Sequence, residues 1–532
     1  SLMSTLSSKY DVAIIGAGHN GLVSACYLSK AGLSVLVLER NAKLGGATRS
    51  SQVFAGMEAR LSVYSYLVSL LPQKIVDELG LEIELLPRRT ASYTPTLQDG
   101  IPLELLLGND GMEANLEAFA NLTGSESDYR GYMELQTMQE RLASVLWPSM
   151  TEPLVSRDEM RNRLNDDGKR AWQSIVEEPL GQVIESRISS DLIRGLVFTD
   201  GKIGVSTYPH DPTLLQNRCF LYHVIGRGNG EWLVPKGGMG TLVDELVRVA
   251  QETGKVTFAT SATVSSVNPD GKLSSVAFEI DGEESQVDAR FVLCNASGKE
   301  LARLTGKPCD SVTIDEGTAF KVNMLLKRLP RLLSTKHSPE DALAGTFHVN
   351  EGYAQMQASY DSSVEGKMPE TPPGEIYCHT LTDPSILSPE LNARGFHTLT
   401  LFGLDMAYRL FKEDNEKARD LALQRYLSGI NQYLEEPIEE CLASDADGKP
   451  CIEAMSAVDL EEKIHLPKGN IFHGDLTWPF AESEEEVGQW GVETEHPNLF
   501  LCGSSAKRGG AVSGIPGHNA AKKVLQESMD GS

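Results

Sequence analysis

Apolar residues recur along this chain with two different periods, and the changes of period mark its elements. From Tyr10 the run YDVAIIGAGHNGLVSACYLSKAGLSVLVLER passes from an unbroken apolar strand through a glycine turn into a segment of helical period, then into a second apolar strand. The pattern predicts a βαβ unit. Residues 235–254 (PKGGMGTLVDELVRVAQETG) predict a glycine loop and an amphipathic helix. Residues 255–296 then alternate with period two, predicting a strand, a three-stranded meander and a returning strand. At the other end, HPNLFLCGSSAKRGGAVSGIPGHNAAKKVL predicts a strand over 499–502, a glycine-rich loop and a helix from about residue 517. Between these pieces, 112–200 shows i, i+3, i+4 spacing, whereas 301–454 offers strand candidates in TAFKVNMLLKRL, GTFHVN and GEIYCHTL before a long helix in NEKARDLALQRYLSGINQYLEE.

Gly16, Gly18 and Gly21 fit G-x-G-x-x-G at the turn of the βαβ unit. The first glycine permits the tight turn, the second lets backbone approach a pyrophosphate, and the third lets the helix pack on the strand. A phosphate there meets the free N–H groups and positive dipole end of the helix. Glu39 closes the second strand, where a carboxylate accepts from both ribose hydroxyls and repels a 2′-phosphate. The turn accordingly predicts FAD or NAD rather than NADP.

Composition narrows the class. With 532 residues, 41% hydrophobic and 23% charged, the chain is long enough for two or three domains and is neither disordered nor fibrous. The excess of 74 Asp and Glu over 48 Lys and Arg, a net charge of −26, repels phosphate backbones, so nucleic acid is not expected as a partner. No C-x-x-C pair or Cys/His cluster occurs among the eight cysteines, which excludes a signalled zinc site or redox disulfide and predicts buried reduced thiols. No apolar run approaches the ~18 residues of a membrane span. A cytoplasmic protein is expected, with transient membrane contact left open and no oligomer signal in the pattern.

The segments GAGHNGL, LERNAKLGGAT, LVSLLP, DPTLLQNRCFLYHVIG, PKGGMGTLVDEL, GNIFHGDL and GGAVSGIPGHNAA together resemble the phytoene desaturase and carotenoid ketolase superfamily. Within it the resemblance is nearest to the group called pyridine nucleotide-disulphide oxidoreductase domain-containing protein 2. It implies an α/β fold: a glutathione-reductase-like (Rossmann-type) FAD-binding domain with an inserted α+β substrate domain. The expected division is a discontinuous FAD domain of 9–105, 232–300 and 455–527, with 106–231 and 301–454 forming the substrate domain. The glycine pair Gly45-Gly46 resembles the second FAD motif of such enzymes, although Ala47 stands where an arginine is common and Arg49 follows two later. The resemblance adds Arg40, Ala47, Val264, Gly503, Gly510, Val512 and Gly514 to the expected contacts of a non-covalent FAD.

One flavin with no second dinucleotide fold implies hydride removal from a lipophilic, isoprenoid-like molecule to the flavin and reoxidation by dioxygen or a quinone. No acid–base constellation stands out, because a flavin can take a hydride without one. Lys236, His473 and His223 are the catalytic candidates, and Tyr64, Tyr66 and Trp232 the candidate substrate wall, together with Phe220 and Tyr222. No metal is expected. Two other readings stay open: a redox-neutral flavin-dependent isomerase or hydratase, and a flavin-bearing interaction protein without turnover.

Overall fold

The computed structural model describes residues 5–48, 50–62, 67–109, 111–307 and 315–530, with the backbone alone at residue 47. Two seven-stranded sheets organise it.

The first sheet has a parallel core. Its strands run in the order Leu499–Leu501, Glu283–Cys294, Lys9–Ile15, Val35–Leu38 and Val256–Ala259. Unbroken apolar runs suit such strands, which are covered on both faces; Val12, Ala13 and Ile14 are fully buried. Ile15 stands in register with Leu38 on one side and Cys294 on the other. The expected meander is present, but its third strand and the returning strand are a single element. Glu283–Cys294 pairs antiparallel with Ser274–Ile280 through its first half and parallel with Lys9–Ile15 over its length from Asp288. Ala262–Asn268 completes the hairpin at the sheet edge.

Helix His19–Lys30 follows the glycine turn and is buried from Asn20 to Ser29, because helices Gly240–Glu252 and Ile515–Asp530 both pack on it. Close approach to the C-terminal helix is possible because Gly517 carries no Cβ where Asn20 O lies. Ser24 Oγ donates to Gly517 O at 2.7 Å across that contact. Both expected helices are thus observed, the C-terminal one beginning at Ile515.

The second sheet runs Ile452–Met455, Phe320–Leu326, His397–Gly403, Gly374–Tyr377, Thr346–Val349, Thr90–Gln98 and Ile101–Gly108. The three strand candidates of 301–454 all belong to it. The boundary expected at residue 105 is corrected by this pairing: Thr90–Gln98 and Ile101–Gly108 join the second sheet through Thr346↔Ser92 and Phe347↔Tyr93, although they precede the helical insert in sequence. Ile452–Met455 likewise belongs to this sheet through Phe320–Leu326. One face, carrying Val322, Phe347, Ile376 and Leu401, is closed by helix Asn415–Asn431 with Tyr426 and Ile430. The other face carries polar residues at alternate positions and borders the candidate site.

Helices Met112–Thr123, Ser127–Ser149, Leu180–Arg187, Asp191–Phe198 and Leu215–Val224 build the helical insert around Phe119, Leu142, Trp172 and Phe198. Arg508 ties it to the C-terminal glycine loop, donating to Ser149 O at 2.8 Å and Trp490 O at 2.7 Å. Lys202 and Asp405, both without exposed side-chain surface, form an ion pair of 2.9 Å between the insert and the end of strand His397–Gly403. The seven described cysteines are buried and unbridged; Cys309 lies outside the described residues.

Candidate active site

One cavity of about 1140 Å³ joins the first sheet, the helical insert and the second sheet. Its first-sheet wall is glycine backbone. Gly16, at φ +98°, makes the turn after the first strand and sends its N–H to Leu38 O at 2.8 Å. Gly45 N–H donates to Ala17 O at 2.7 Å, and a Cβ on Gly46 would stand 3.4 Å from Gly18 Cα. The two glycine motifs therefore lie back to back, leaving bare backbone toward the cavity. A Cβ on Gly18 would meet the side-chain amide of Asn295 at 2.9 Å, whereas one on Gly21 would collide with Gly16 O. The second glycine thus leaves room for the Asn295 amide beside the turn and the third keeps the helix on the strand. With its oxygen turned toward the turn, the Asn295 amide accepts from Gly21 N–H at 3.2 Å and Gly18 N–H at 3.3 Å.

Glu39 is buried and orders this wall. Its Oε1 accepts from Ala17 N–H at 3.0 Å and its Oε2 from Asn41 N–H at 2.8 Å. A carboxylate has about four acceptor positions, so two remain for ribose hydroxyls. Arg40, Asn41, Ala262, Thr263 and Val264 continue the lining, and Ser504, Ala511 and Val512 bring the C-terminal loop to it. His19 places Nδ1 2.9 Å from Thr48 Oγ1, while its buried Nε2 has no partner. Burial, with a contribution from His473, lowers the His19 pKa to about 4, so the ring is neutral at pH 7. An orphaned ring nitrogen and two apposed glycine turns fit a polar, phosphate-bearing dinucleotide.

Apolar and aromatic residues dominate the helical wall, among them Phe119, Tyr132, Leu135, Leu196 and Phe220. His223 and Trp232 stack with ring centroids 5.7 Å apart, and Trp232 Nε1 donates to His223 O at 3.2 Å. His223 Nδ1 donates to Cys219 O at 2.8 Å. Burial lowers the His223 pKa, so the ring is neutral and keeps Nε2 as an acceptor. His473 also lines the cavity; burial lowers its pKa to about 4.

Of the residues expected from sequence, Gly16, Gly18, Glu39, Arg40, Gly45, Gly46, Val264, Val512, His223, Trp232 and His473 meet around this one space. Ala47 lies in the short helical turn Gly46–Thr48 beside them. Gly21 sits behind the turn. Gly503, Gly510 and Gly514 also face protein: added Cβ atoms would run into Asn295, Phe472 and Val23. Phe220 lines the cavity, but Tyr222 is core. Lys236 is corrected: it is outside the lining, and its exposed ammonium faces Glu84 at 3.5 Å, because the glycine pair after it turns the chain away toward helix Gly240–Glu252. Tyr64, Tyr66 and Arg49 lie outside the described residues.

Sequence reading missed a polar group on the second-sheet wall: Arg88, Thr346, His348, Glu375 and Tyr377, faced by Asp200 from the insert. The signal was available as alternation. In TFHV and GEIY, Thr346, His348, Glu375 and Tyr377 alternate with core residues Phe347, Val349 and Ile376.

Comparison with known proteins adds to this geometry. A family model for an NAD(P)-binding Rossmann-like domain matches residues 14–72. An uncharacterized Mycobacterium tuberculosis protein is 43% identical over 98% of both chains. The mouse pyridine nucleotide-disulfide oxidoreductase domain-containing protein 2 is 30% identical, covering 98% of this chain and 94% of its own. A carotenoid 3,4-desaturase of Haloarcula japonica is 27% identical over 50% of this chain and 52% of its own. The solved cyclohexylamine oxidase of Brevibacterium oxydans shares the fold, with a TM-score of 0.58 over 98% of this chain and 99% of its own at 15% identity. The chain therefore belongs to the pyridine nucleotide-disulfide oxidoreductase domain-containing protein 2 family, within the FAD-dependent oxidoreductase superfamily, and is an oxidoreductase.

Proposed function

We propose that this enzyme binds FAD non-covalently along its glycine-lined wall and removes hydride from a lipophilic molecule held in the rest of the cavity. Dioxygen or a quinone would serve as the final electron acceptor. The carrying observation is continuity: the two glycine turns, Glu39 and the aromatic chamber border one space of about 1140 Å³. That exceeds the ~300–1,000 Å³ of a typical single-ligand pocket, leaving room for a cofactor and a second molecule.

Bound FAD supplies a hydride acceptor at the flavin ring. Around it, Gly18 and Gly46 let backbone approach the diphosphate, Glu39 holds the ribose and the backbone near Val264 holds the adenine. Phe119, Tyr132, Leu135, Leu196 and Phe220 exclude water and grip an apolar chain. His223, His19 and His473, neutral at pH 7, border the cavity without adding charge. The name of the carotenoid desaturase relative favours a lipophilic substrate over a small polar one.

Two measurements test this reading. Denatured protein should release FAD identifiable by chromatography. Lipophilic metabolites extracted from the purified enzyme should then bleach its flavin anaerobically. Protein without flavin refutes the cofactor assignment, and turnover seen only after dithionite reduction transfers the enzyme to the redox-neutral class.

A further inference from the structure

Arg88 is a charged side chain on the cavity wall that the proposed cofactor contacts do not use. It immediately precedes the second-sheet strand Thr90–Gln98, and its backbone is pinned by Asn109 Nδ2, which donates to Arg88 O at 2.8 Å. Arg88 lines the cavity. Among the described residues it makes one side-chain hydrogen bond, from Nη1 to Thr346 Oγ1 at 2.8 Å, and no carboxylate lies within ion-pair distance. Four of its five N–H donors have no protein partner among the described residues.

The acids nearby have other commitments. Glu375 accepts from Tyr377 OH and has its Oε1 3.7 Å from His348 Nδ1. Glu351 receives His348 Nδ1 at 2.6 Å. Asp200 reaches the cavity from the insert. Burial, reinforced by neighbouring carboxyls, raises Asp200 to about 8 and Glu351 well above the ordinary range; burial also raises Glu375, against the opposing effects of Tyr377 and Arg88. These groups can shed their charge by holding a proton, and His348, lowered to about 3 by burial and by Arg88, stays neutral. A guanidinium has no such escape. The half-buried guanidinium is therefore left without an ion-pair partner among the described residues, attracted only at longer range by Tyr377 and Glu375, and it keeps capacity for an anion.

We propose that this wall holds the carboxylate of a lipophilic acid, with Arg88 as its counter-ion and the acyl chain along Phe119, Leu135, Leu196 and Phe220. The inference rests on reading the cavity as a substrate chamber and deepens that reading: the substrate is an amphipathic acid rather than a hydrocarbon. Guanidinium and carboxylate match as two parallel N–H···O bonds. An alcohol of equal length would leave the guanidinium charge unpaired, and an alkylammonium would add a second cation beside it.

Calorimetric titration of the purified protein with decanoate, decanol and decylamine tests this, with Arg88→Gln and Arg88→Lys beside the parent. Decanoate is expected to bind about tenfold or more tighter than the other two. Arg88→Gln should remove that preference while leaving decanol binding unchanged, and Arg88→Lys should restore part of it. Preference for decylamine, absence of decanoate binding, or equal decanoate affinity in parent and Arg88→Gln each overturns the proposal. The parent's selectivity decides the matter even if the variant fails to fold. Flavin content measured on the same samples keeps the two readings apart, because calorimetric binding requires no turnover. A flavin-free protein that still selects decanoate would sink the redox reading alone.

Discussion

Alanine at two glycines three residues apart should separate cofactor binding from folding. At Gly18 the backbone has φ −69° and ψ 173°, which any residue adopts, and an added Cβ meets at 2.9 Å the Asn295 amide that accepts from the turn. Fold stability should fall by ~1–2 kcal/mol at most, since about 1 kcal/mol per hydrogen bond lost as that amide shifts is offset by ~0.4–1 kcal/mol from the reduced freedom of the unfolded chain. The methyl nevertheless stands in the cavity wall where backbone must meet the diphosphate, so FAD affinity should fall by about tenfold or more, or 1.4 kcal/mol. At Gly21 the added Cβ falls more than ~1 Å inside ordinary contact with Gly16 O, which is backbone and cannot swing aside. Overpacking of that kind costs ~1–3 kcal/mol, offset by at most ~1 kcal/mol of helix propensity. Thermal unfolding with and without FAD reads both effects. At a hundredfold excess over the dissociation constant, ligand adds ~2.7 kcal/mol to the parent. Gly18→Ala should unfold within ~1–2 kcal/mol of the FAD-free parent and gain ~1.4 kcal/mol or less from FAD, whereas Gly21→Ala should keep the parent's FAD gain and be weaker under both conditions. Equal FAD gain in Gly18→Ala and parent, or an unchanged midpoint in Gly21→Ala, would refute the roles drawn for the turn.

Lys202→Met should destabilise by ~3–5 kcal/mol in urea unfolding, since it strands Asp405 without its buried partner, and Lys202→Met/Asp405→Leu should recover most of the loss; a mild single variant would contradict the pairing. His518 is buried with its pKa lowered to about 4 against the usual 6.5, so the unfolded chain binds the proton first and stability falls as pH drops through that window. At ~1.4 kcal/mol per unit this contributes ~2–3 kcal/mol by pH 4.5, and His518→Phe should flatten the acid arm of the urea midpoint by that amount. An arm as steep as the parent's would remove His518 from the account. NADH and NADPH should reduce the flavin slowly and without saturation in anaerobic stopped-flow, because a nicotinamide nucleotide needs its own phosphate cradle; fast saturable bleaching would make the enzyme a reductase.

Local sequence determined the first sheet and its glycine wall. Residues 10–39 carry strand, turn, helix and terminal acid within thirty positions, and each signal there depends on neighbours along the chain: unbroken apolar runs for strands buried on both faces, glycines where backbone must come close. The strand, loop and helix of the C-terminus were legible for the same reason, but of the four loop residues expected at the cofactor only Val512 lines the cavity, whereas Gly503, Gly510 and Gly514 face protein. Strand register and long-range packing decided the rest. Whether Thr90–Gly108 joined the first or second sheet depended on pairing with Thr346–Val349, more than 230 residues away, and periodicity carries no information about partners. Lys236 sits in a glycine-rich context like a cofactor residue, but the path of the following helix turned it to solvent beside Glu84. Arg88, Asp200, His348 and Glu375 come from four separate elements and share a wall only because the second sheet sets His348 opposite Glu375 and the insert closes over them. Alternation along a strand fixes which side chains share a face. Only tertiary packing fixes whether that face meets core, solvent or a cavity, and so brings Arg88 onto the cavity wall.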